Sequence, residues 1–276
     1  MIDTVLDMPR CSIITVCYNN REGLRDTAES VKKQTFKDYE FIVIDGGSTD
    51  GSAELLKEYA SIITYGVSEK DDGIYNAMNK GIAKACGEYC LFLNSGDWLA
   101  TDKVLERVFN KEFDDADFLY GDIVKVNGRK KRVIRYPDKL TLYDFYKVAA
   151  VIHHQATFIK RSLFGKFGYY LENTYMNADW MFFFDAIVMG KASTKHLDMV
   201  ISVFDGTGTS EKWSQDNPRV KADMERKQER LDKVMTQDEK ELFPKIEDTQ
   251  KKKTKFATSL RWHLSPLLPL RFYTKA

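Results

Sequence analysis

The chain has 276 residues, of which 43% are hydrophobic and 30% charged, and its formal net charge is +1. That balance is ordinary for a folded globular protein and gives the molecule as a whole no electrostatic preference for nucleic acid or membrane. The first ten residues carry Asp3 and Asp7 and no apolar run, unlike a secretory leader, and no stretch reaches the ~18 consecutive apolar residues of a spanning helix.

A cytoplasmic protein is expected, or one held peripherally on the inner face of a membrane. The four cysteines (Cys11, Cys17, Cys86 and Cys90) lack the spacing of a zinc ribbon and read as free thiols in a reducing compartment.

In chain order, residues 11–18 form a short apolar run rich in β-branched side chains, the signature of a buried parallel strand. Residues 21–34 place Leu24, Thr27, Ala28 and Val31 at helical spacing. A second buried strand, 40–45, ends in the turn cluster 45–51, whose Ser, Thr and Asp residues can cap a helix over 52–59. A third strand is expected at 62–65, a helix at 73–85 and a strand at 88–94. Strand, loop and helix thus alternate, which specifies a parallel sheet covered on both faces. Ligands bind such sheets beyond the carboxyl ends of the strands, and those ends carry Tyr18, Asn19, Asp45 and the run Asn94-Ser95-Gly96-Asp97.

Beyond residue 100 the rhythm changes. Residues 118–136 read as a β-hairpin turning at Asn127-Gly128, 156–160 as a strand, and 179–189 as a helix with Phe183, Phe184, Ile187 and Val188 on its apolar side. A strand follows at 200–204, then a Gly-rich flexible loop at 206–210, then a charged, solvated helix at 219–235.

Asp97, beside an Asn carbonyl and small residues, has the chemistry to hold a hard divalent cation that keeps sites for water and phosphate. An Asp in such a turn can equally cap a helix. Asp45 and the pair Asp71-Asp72 before Gly73 add acidic groups in loops after strands, and such a set repels itself unless a cation or hydrogen-bond donors offset it. Together they point to a metal–diphosphate site. Asp179 opens an apolar helix, as either a helix cap or a general base. His153 and His154 are adjacent, so at most one faces a site if they lie on a strand. Trp98, Trp180, Tyr169, Tyr170 and Tyr175 are candidates for stacking on sugar rings or for packing in the core.

Five stretches, taken in order, carry a resemblance: SIITVCYN at 12–19, DGGSTDG at 45–51, DDGIYNAMNKG at 71–81, GEYCLFLNSGD at 87–97 and YGD at 120–122. The chain resembles the family 2 glycosyltransferases over about residues 10–210, and is most similar to the branch that builds bacterial capsular, colanic-acid-like or O-antigen polysaccharides. The resemblance implies an α/β GT-A fold. Its nucleotide-binding half would span 11–122 and its acceptor half 123–210, between a tail at 1–10 and a charged helical, basic extension at 211–276.

The implied reaction is inverting transfer from a nucleotide-diphosphate sugar to a glycan or lipid-linked acceptor, assisted by Mg²⁺ or Mn²⁺. Val16, Tyr18, Asn19, Asp45, Asp71, Asn79, Asn94, Ser95 and His154 would bind the donor, Asp97 the metal, and Asp179 would be the base. The chain departs from the family pattern twice. The Asp-x-Asp metal motif maps to Ser95 and Asp97, so only its last carboxylate is present, and Gly46 stands where the family commonly has a second Asp.

After Asp248 no acidic residue occurs, and basic residues interleave with Phe256, Trp262, Leu264, Phe272 and other apolar groups. Such a tail suits an anionic bilayer surface or packing on the core, with nucleic acid as the weaker alternative. Two rival functions share this core: a sugar-nucleotide nucleotidyltransferase, which normally has a Gly-rich phosphate loop after strand one, and a non-catalytic sugar-nucleotide-binding scaffold, which would bind without turnover.

Overall fold

The computed structural model describes residues 8–109, 115–147, 151–206 and 217–247. They comprise two compact units that divide between Arg230 and Leu231, beyond the boundary expected near residue 210.

The first unit is built on a nine-stranded mixed sheet. Strands β1 (Cys11–Cys17), β2 (Tyr39–Asp45), β3 (Tyr65–Ser68) and β4 (Tyr89–Phe92) run parallel in the order β3-β2-β1-β4. Helices α1 (Arg21–Lys32), α2 (Ser52–Glu58) and α3 (Ile74–Lys84) make the crossovers. Every residue of β1 and β4 is buried, because helices cover both faces of the sheet. The predicted stripe of α1 holds, with Leu24, Thr27, Ala28 and Val31 all buried.

The third strand begins at Tyr65 rather than Ile62, since the amides of Ile62 and Ile63 bond back to the Tyr59 carbonyl and prolong the turn after α2. The expected side-chain cap of α2 is also replaced. Gly51 caps it at φ +91°, and Asp50 accepts from the Ser52 amide at 3.0 Å.

The second half adds β5 (Trp98–Leu99), α4 (Val104–Phe109), β6 (Phe118–Asn127), β7 (Lys130–Ile134), α5 (Leu142–Tyr146), β8 (Thr157–Lys160), α6 (Ser162–Phe167), α7 (Ala178–Phe183) and β9 (Thr194–Asp205). The Asn127-Gly128 hairpin forms, with Asn127 paired to Lys130 and Gly128 at φ +57°. β8 joins antiparallel to β4, which extends the parallel sheet into an antiparallel half. β9 is much longer than the expected 200–204, because polar residues from Thr194 onward pair in parallel with β6 across a bulge at Gly121 to Ile123. The helix expected over 179–189 changes to π-helical geometry at Phe184–Met189, and Ile187 and Val188 are only partly buried.

The next helix, α8 (Pro218–Val234), is not simply solvated: Val220, Asp223 and Lys227 are buried. In the second unit a helix over 237–247 is capped by Thr236, whose amide and hydroxyl both donate to Glu239 at 2.8 and 3.0 Å. Among the described residues no helix is long and apolar enough to cross a membrane. The Gly-rich loop at 207–210 and the basic tail lie outside the described residues.

Candidate active site

The carboxyl ends of β1, β2 and β4 converge, as parallel topology requires. The end of β1 is fixed first. The Val16 side chain is buried and its carbonyl accepts from the Ser95 amide at 3.1 Å. Asn19, at φ +47°, accepts from the Thr49 amide at 2.9 Å, and its own amide donates to Ser48 Oγ at 2.7 Å. Tyr18 is left 66% exposed, an apolar ring held out over the crevice by a tied-down loop.

Asp45 has no exposed surface. Its carboxylate accepts from the Ser48 amide at 3.0 Å and from the hydroxyls of Ser48 and Ser68. It therefore folds the 46–48 loop. Gly46 follows for steric reasons. A Cβ there would stand 2.4 Å from Asp71 Oδ2 and 3.3 Å from the Tyr18 ring. Asp71 thus fills the space that a second Asp after β2 would occupy, and its Oδ1 accepts from the Gly73 amide at 2.9 Å. Tyr18, Gly46 and Asp71 lie together.

Asn79 stands apart from this group. Its amide donates to the Tyr170 carbonyl and to Glu172, both at 2.8 Å, and accepts from the Tyr170 amide at 3.0 Å. It ties α3 to the 170–172 loop and is 7% exposed. Hydrogen bonds from Asn79 and Asn76 hold the Glu172 carboxyl below its ordinary range.

Beyond β4, Ser95 accepts from Asn20 Nδ2 through its carbonyl at 2.9 Å and its hydroxyl at 3.3 Å. Asn94 turns to His154, with Asn94 Nδ2 3.3 Å from His154 Nε2, while its own Oδ1 is buried without a partner among the described residues. The other ring nitrogen, His154 Nδ1, lies 2.8 Å from Asp179 Oδ2. A proton on Nδ1 satisfies both contacts: the ring donates to the carboxylate and accepts from the amide. His153 points elsewhere, with its Nδ1 against the Tyr136 hydroxyl. The two histidines diverge, with His154 opening a short 3₁₀ turn at His154–Ala156 and His153 before it, rather than both lying on a strand.

Asp179 is not the cap of α7. Asn177 holds that place at φ +76°, and Asp179 lies in the first turn with Oδ1 accepting from the Trp180 amide at 2.9 Å. Burial pushes its carboxyl up, but the hydrogen bond and charge of His154, with the Trp180 amide, hold it below the ordinary range. Its side chain keeps 21% exposure, so the carboxylate is ionised and reachable. Of the aromatic candidates, Tyr170 and Trp180 are each 3% exposed, and Tyr169 at 47% is open to solvent.

Asp97 is 3% exposed and accepts from the Asp205 amide at 3.1 Å. Burial, and then the neighbouring Asp205 charge, push its carboxyl up to about 7 against hydrogen bonds from the Asp205 amide and Gln155. A buried carboxylate that is unfavourably charged where it stands, with the Asp205 charge acting on it, is a hard oxygen donor of the kind that suits Mg²⁺ or Mn²⁺ with phosphate and water. Among the described residues no group of three or more His, Cys, Asp or Glu side chains gathers to hold a metal by itself, so ligand oxygens would have to complete the set. Asp205 ends a strand expected to stop at 204 and was not legible as a site residue. Its contact with Asp97 spans 108 positions of the chain.

Residues 12–168 match the model of Glycosyl transferase family 2. The chain belongs to that family. The glycosyltransferase is 30% identical over 205 residues to a PGL/p-HBAD biosynthesis glycosyltransferase of Mycobacterium bovis, covering 72% of this chain and 78% of the relative. Its fold is similar to that of S. aureus TarS 1-349 in complex with UDP-GlcNAc, with TM-score 0.60 and 19% identity over 77% of this chain and 61% of that one. It is also similar to the mannosyltransferase PcManGT of Pyrobaculum calidifontis in complex with GDP-Man and Mn2+, with TM-score 0.54 and 18% identity over 71% and 57% of the two chains. The fold is GT-A-like, with helices following the sheet.

Proposed function

We propose that this glycosyltransferase inverts the anomeric carbon as it moves a sugar from a nucleotide-diphosphate donor to a hydroxyl of a glycan or lipid-linked acceptor in surface polysaccharide synthesis. The observation that carries this reading is the His154–Asp179 pair, a reachable carboxylate kept ionised at the mouth of the strand-end crevice. The acceptor O–H gives its proton to Asp179 while its oxygen attacks the anomeric carbon. The bond from that carbon to the phosphate oxygen breaks, and its electron pair leaves with the nucleoside diphosphate. Tyr18 and Asp71 face the donor's nucleoside side, with Val16, Asn19, Asp45 and Ser95 shaping the loops around it. The unpartnered Asn94 Oδ1 is free to accept a donor or acceptor hydroxyl.

Asp97, with Asp205 beside it, would hold a divalent cation, Mg²⁺ or Mn²⁺, which neutralises charge developing on the leaving diphosphate. The test is a screen of nucleotide sugars by thermal shift and hydrolysis, with and without each metal, on wild type and Asp97→Ala. One donor that stabilises only the wild type, and only with metal, supports the reading. A screen in which no nucleotide sugar binds under any metal condition overturns it.

Membrane docking through the basic tail beyond Asp248 is part of the same proposal, supported by its composition. Nucleic acid is not expected as a partner. Equal partitioning onto anionic vesicles by the full chain and by a chain cut after Asp248 would sink the docking idea.

A further inference from the structure

The family match ends at residue 168, yet the segment that carries Asp179 is held from outside that region. Four residues of α8 face it at positions 223, 226, 227 and 230, the spacing of one helical face. Asp223, with no exposed surface, accepts from the amides of Tyr175 and Met176 at 2.9 and 2.8 Å. Arg226 Nη1 donates to the Asn173 carbonyl at 3.2 Å. Arg230 makes a two-pronged pair with Asp185, at 2.9 and 3.0 Å. These three contacts bracket Asp179 on both sides along the chain.

Lys227 is the fourth, and it is unlike the others. A lysine on a surface helix ordinarily carries its ammonium out to water, but Lys227 is 5% exposed and its Nζ lies 4.4 Å from the Trp180 ring centroid. Among the described residues it has neither a hydrogen-bond acceptor nor a carboxylate at ion-pair distance. A buried cation is costly unless something offsets it. The Trp180 ring face supplies part of the offset. The charge of Asp179, the residue before Trp180, supplies more: burial lowers the ammonium to about 8, and Asp179 works against that fall. Lys227 is therefore cationic at neutral pH.

We propose that Lys227 is a positioning residue for the base, its ammonium seated on Trp180 to hold the Asp179 carboxylate ionised and in place as the acceptor binds. This rests on the reading of Asp179 as the base. The other groups that hold Asp179 down are His154, the Trp180 amide and His153, and its charge in turn acts on the phenols of Tyr75 on α3 and Tyr170 in the loop after α6. Burial first, and then the Asp179 charge, push both phenols far up, so they stay neutral. On α8 itself, Lys227 has Asp223, Arg226 and Arg230 for charged neighbours. Lys227 thus acts on the carboxylate alongside the histidines, from a different element.

The test is the pH profile of kcat/KM for wild type, Lys227→Met, Lys227→Gln and Lys227→Arg, with Asp179→Asn alongside. Removing a nearby cation raises a carboxyl, so the acid limb of the two neutral variants should move up by about one pH unit. Their activity should fall roughly tenfold at the foot of that limb and recover toward alkaline pH. Lys227→Arg should keep the wild-type limb, and donor affinity should be unchanged throughout. An acid limb that stays in place in Lys227→Met or Lys227→Gln, with kcat lowered equally at every pH, would overturn the proposal and leave Lys227 a packing residue. An active Asp179→Asn would instead overturn the base assignment. An inactive one with unmoved Lys227 limbs overturns only the positioning role of Lys227.

Discussion

His154 Nδ1 stands 2.8 Å from Asp179 Oδ2, joining the turn before β8 to the first turn of α7. The same imidazole reaches Asn94 beyond β4 with its other nitrogen. One ring thus links the end of the parallel sheet to the carboxylate of the second half. The pair gives Asp179 an orientation and a reason to stay ionised inside a largely apolar setting.

Replacing His154 by Ala removes the hydrogen bond that holds the Asp179 carboxyl down. The carboxyl then rises, so base activity is lost first at low pH and returns in part as pH increases. The expected cost is about 10- to 100-fold in kcat/KM near neutrality, with an upward shift of the acid limb. A rate profile from pH 5 to 9 measures it, and a uniform loss at every pH would speak for a packing role.

Asp97 makes a prediction about stability. Its carboxyl is pushed up to about 7 in the folded chain, above the ordinary value of about 3.9 in an unfolded chain. Below the lower value both states are protonated and nothing is lost. Between the two, only the folded state keeps the proton, so this group's contribution falls as pH rises, and above about 7 the full penalty is present. Metal-free Asp97→Asn should therefore melt several degrees above metal-free wild type at pH 8 and close to it at pH 4. Added Mn²⁺ with nucleoside diphosphate should raise the wild type and leave the variant unchanged. Thermal melts at the two pH values check both statements.

Asp45 tests the loop. Asp45→Ala removes the buried carboxylate that accepts from the Ser48 amide and the hydroxyls of Ser48 and Ser68, at an expected cost of about 1–3 kcal/mol in unfolding free energy. Urea melts give the stability. Donor affinity should fall as well, because the 46–48 loop loses its anchor.

The parallel half of the sheet was the more legible in the sequence, for physical reasons. Buried parallel strands are unbroken apolar runs, and strand ends in such sheets carry the ligand groups, so Tyr18, Asp71, Asn94 and Asp97 could be placed by topology. What sequence could not show was which polar groups the chain itself would saturate. Asp45 and Asn79 stand in motifs, and the hydrogen bonds they make with Ser68 and Tyr170 cannot be read there. β3 slid three residues because the turn after Tyr59 ran on, which apolar spacing does not reveal. Asp205, Asp223 and Lys227 were invisible for a different reason. Each acts on a residue tens of positions away, and Asp223 and Lys227 sit in a charged stretch whose pattern signals a solvated helix.

The most direct test is single-turnover transfer by Asp179→Asn, measured beside wild type with donor affinity determined separately. Wild-type donor binding, an intact fold and a transfer rate lower by about 10³-fold or more are the predicted result. Transfer within a few-fold of wild type would show that another group takes the proton, and that Asp179 is not the base.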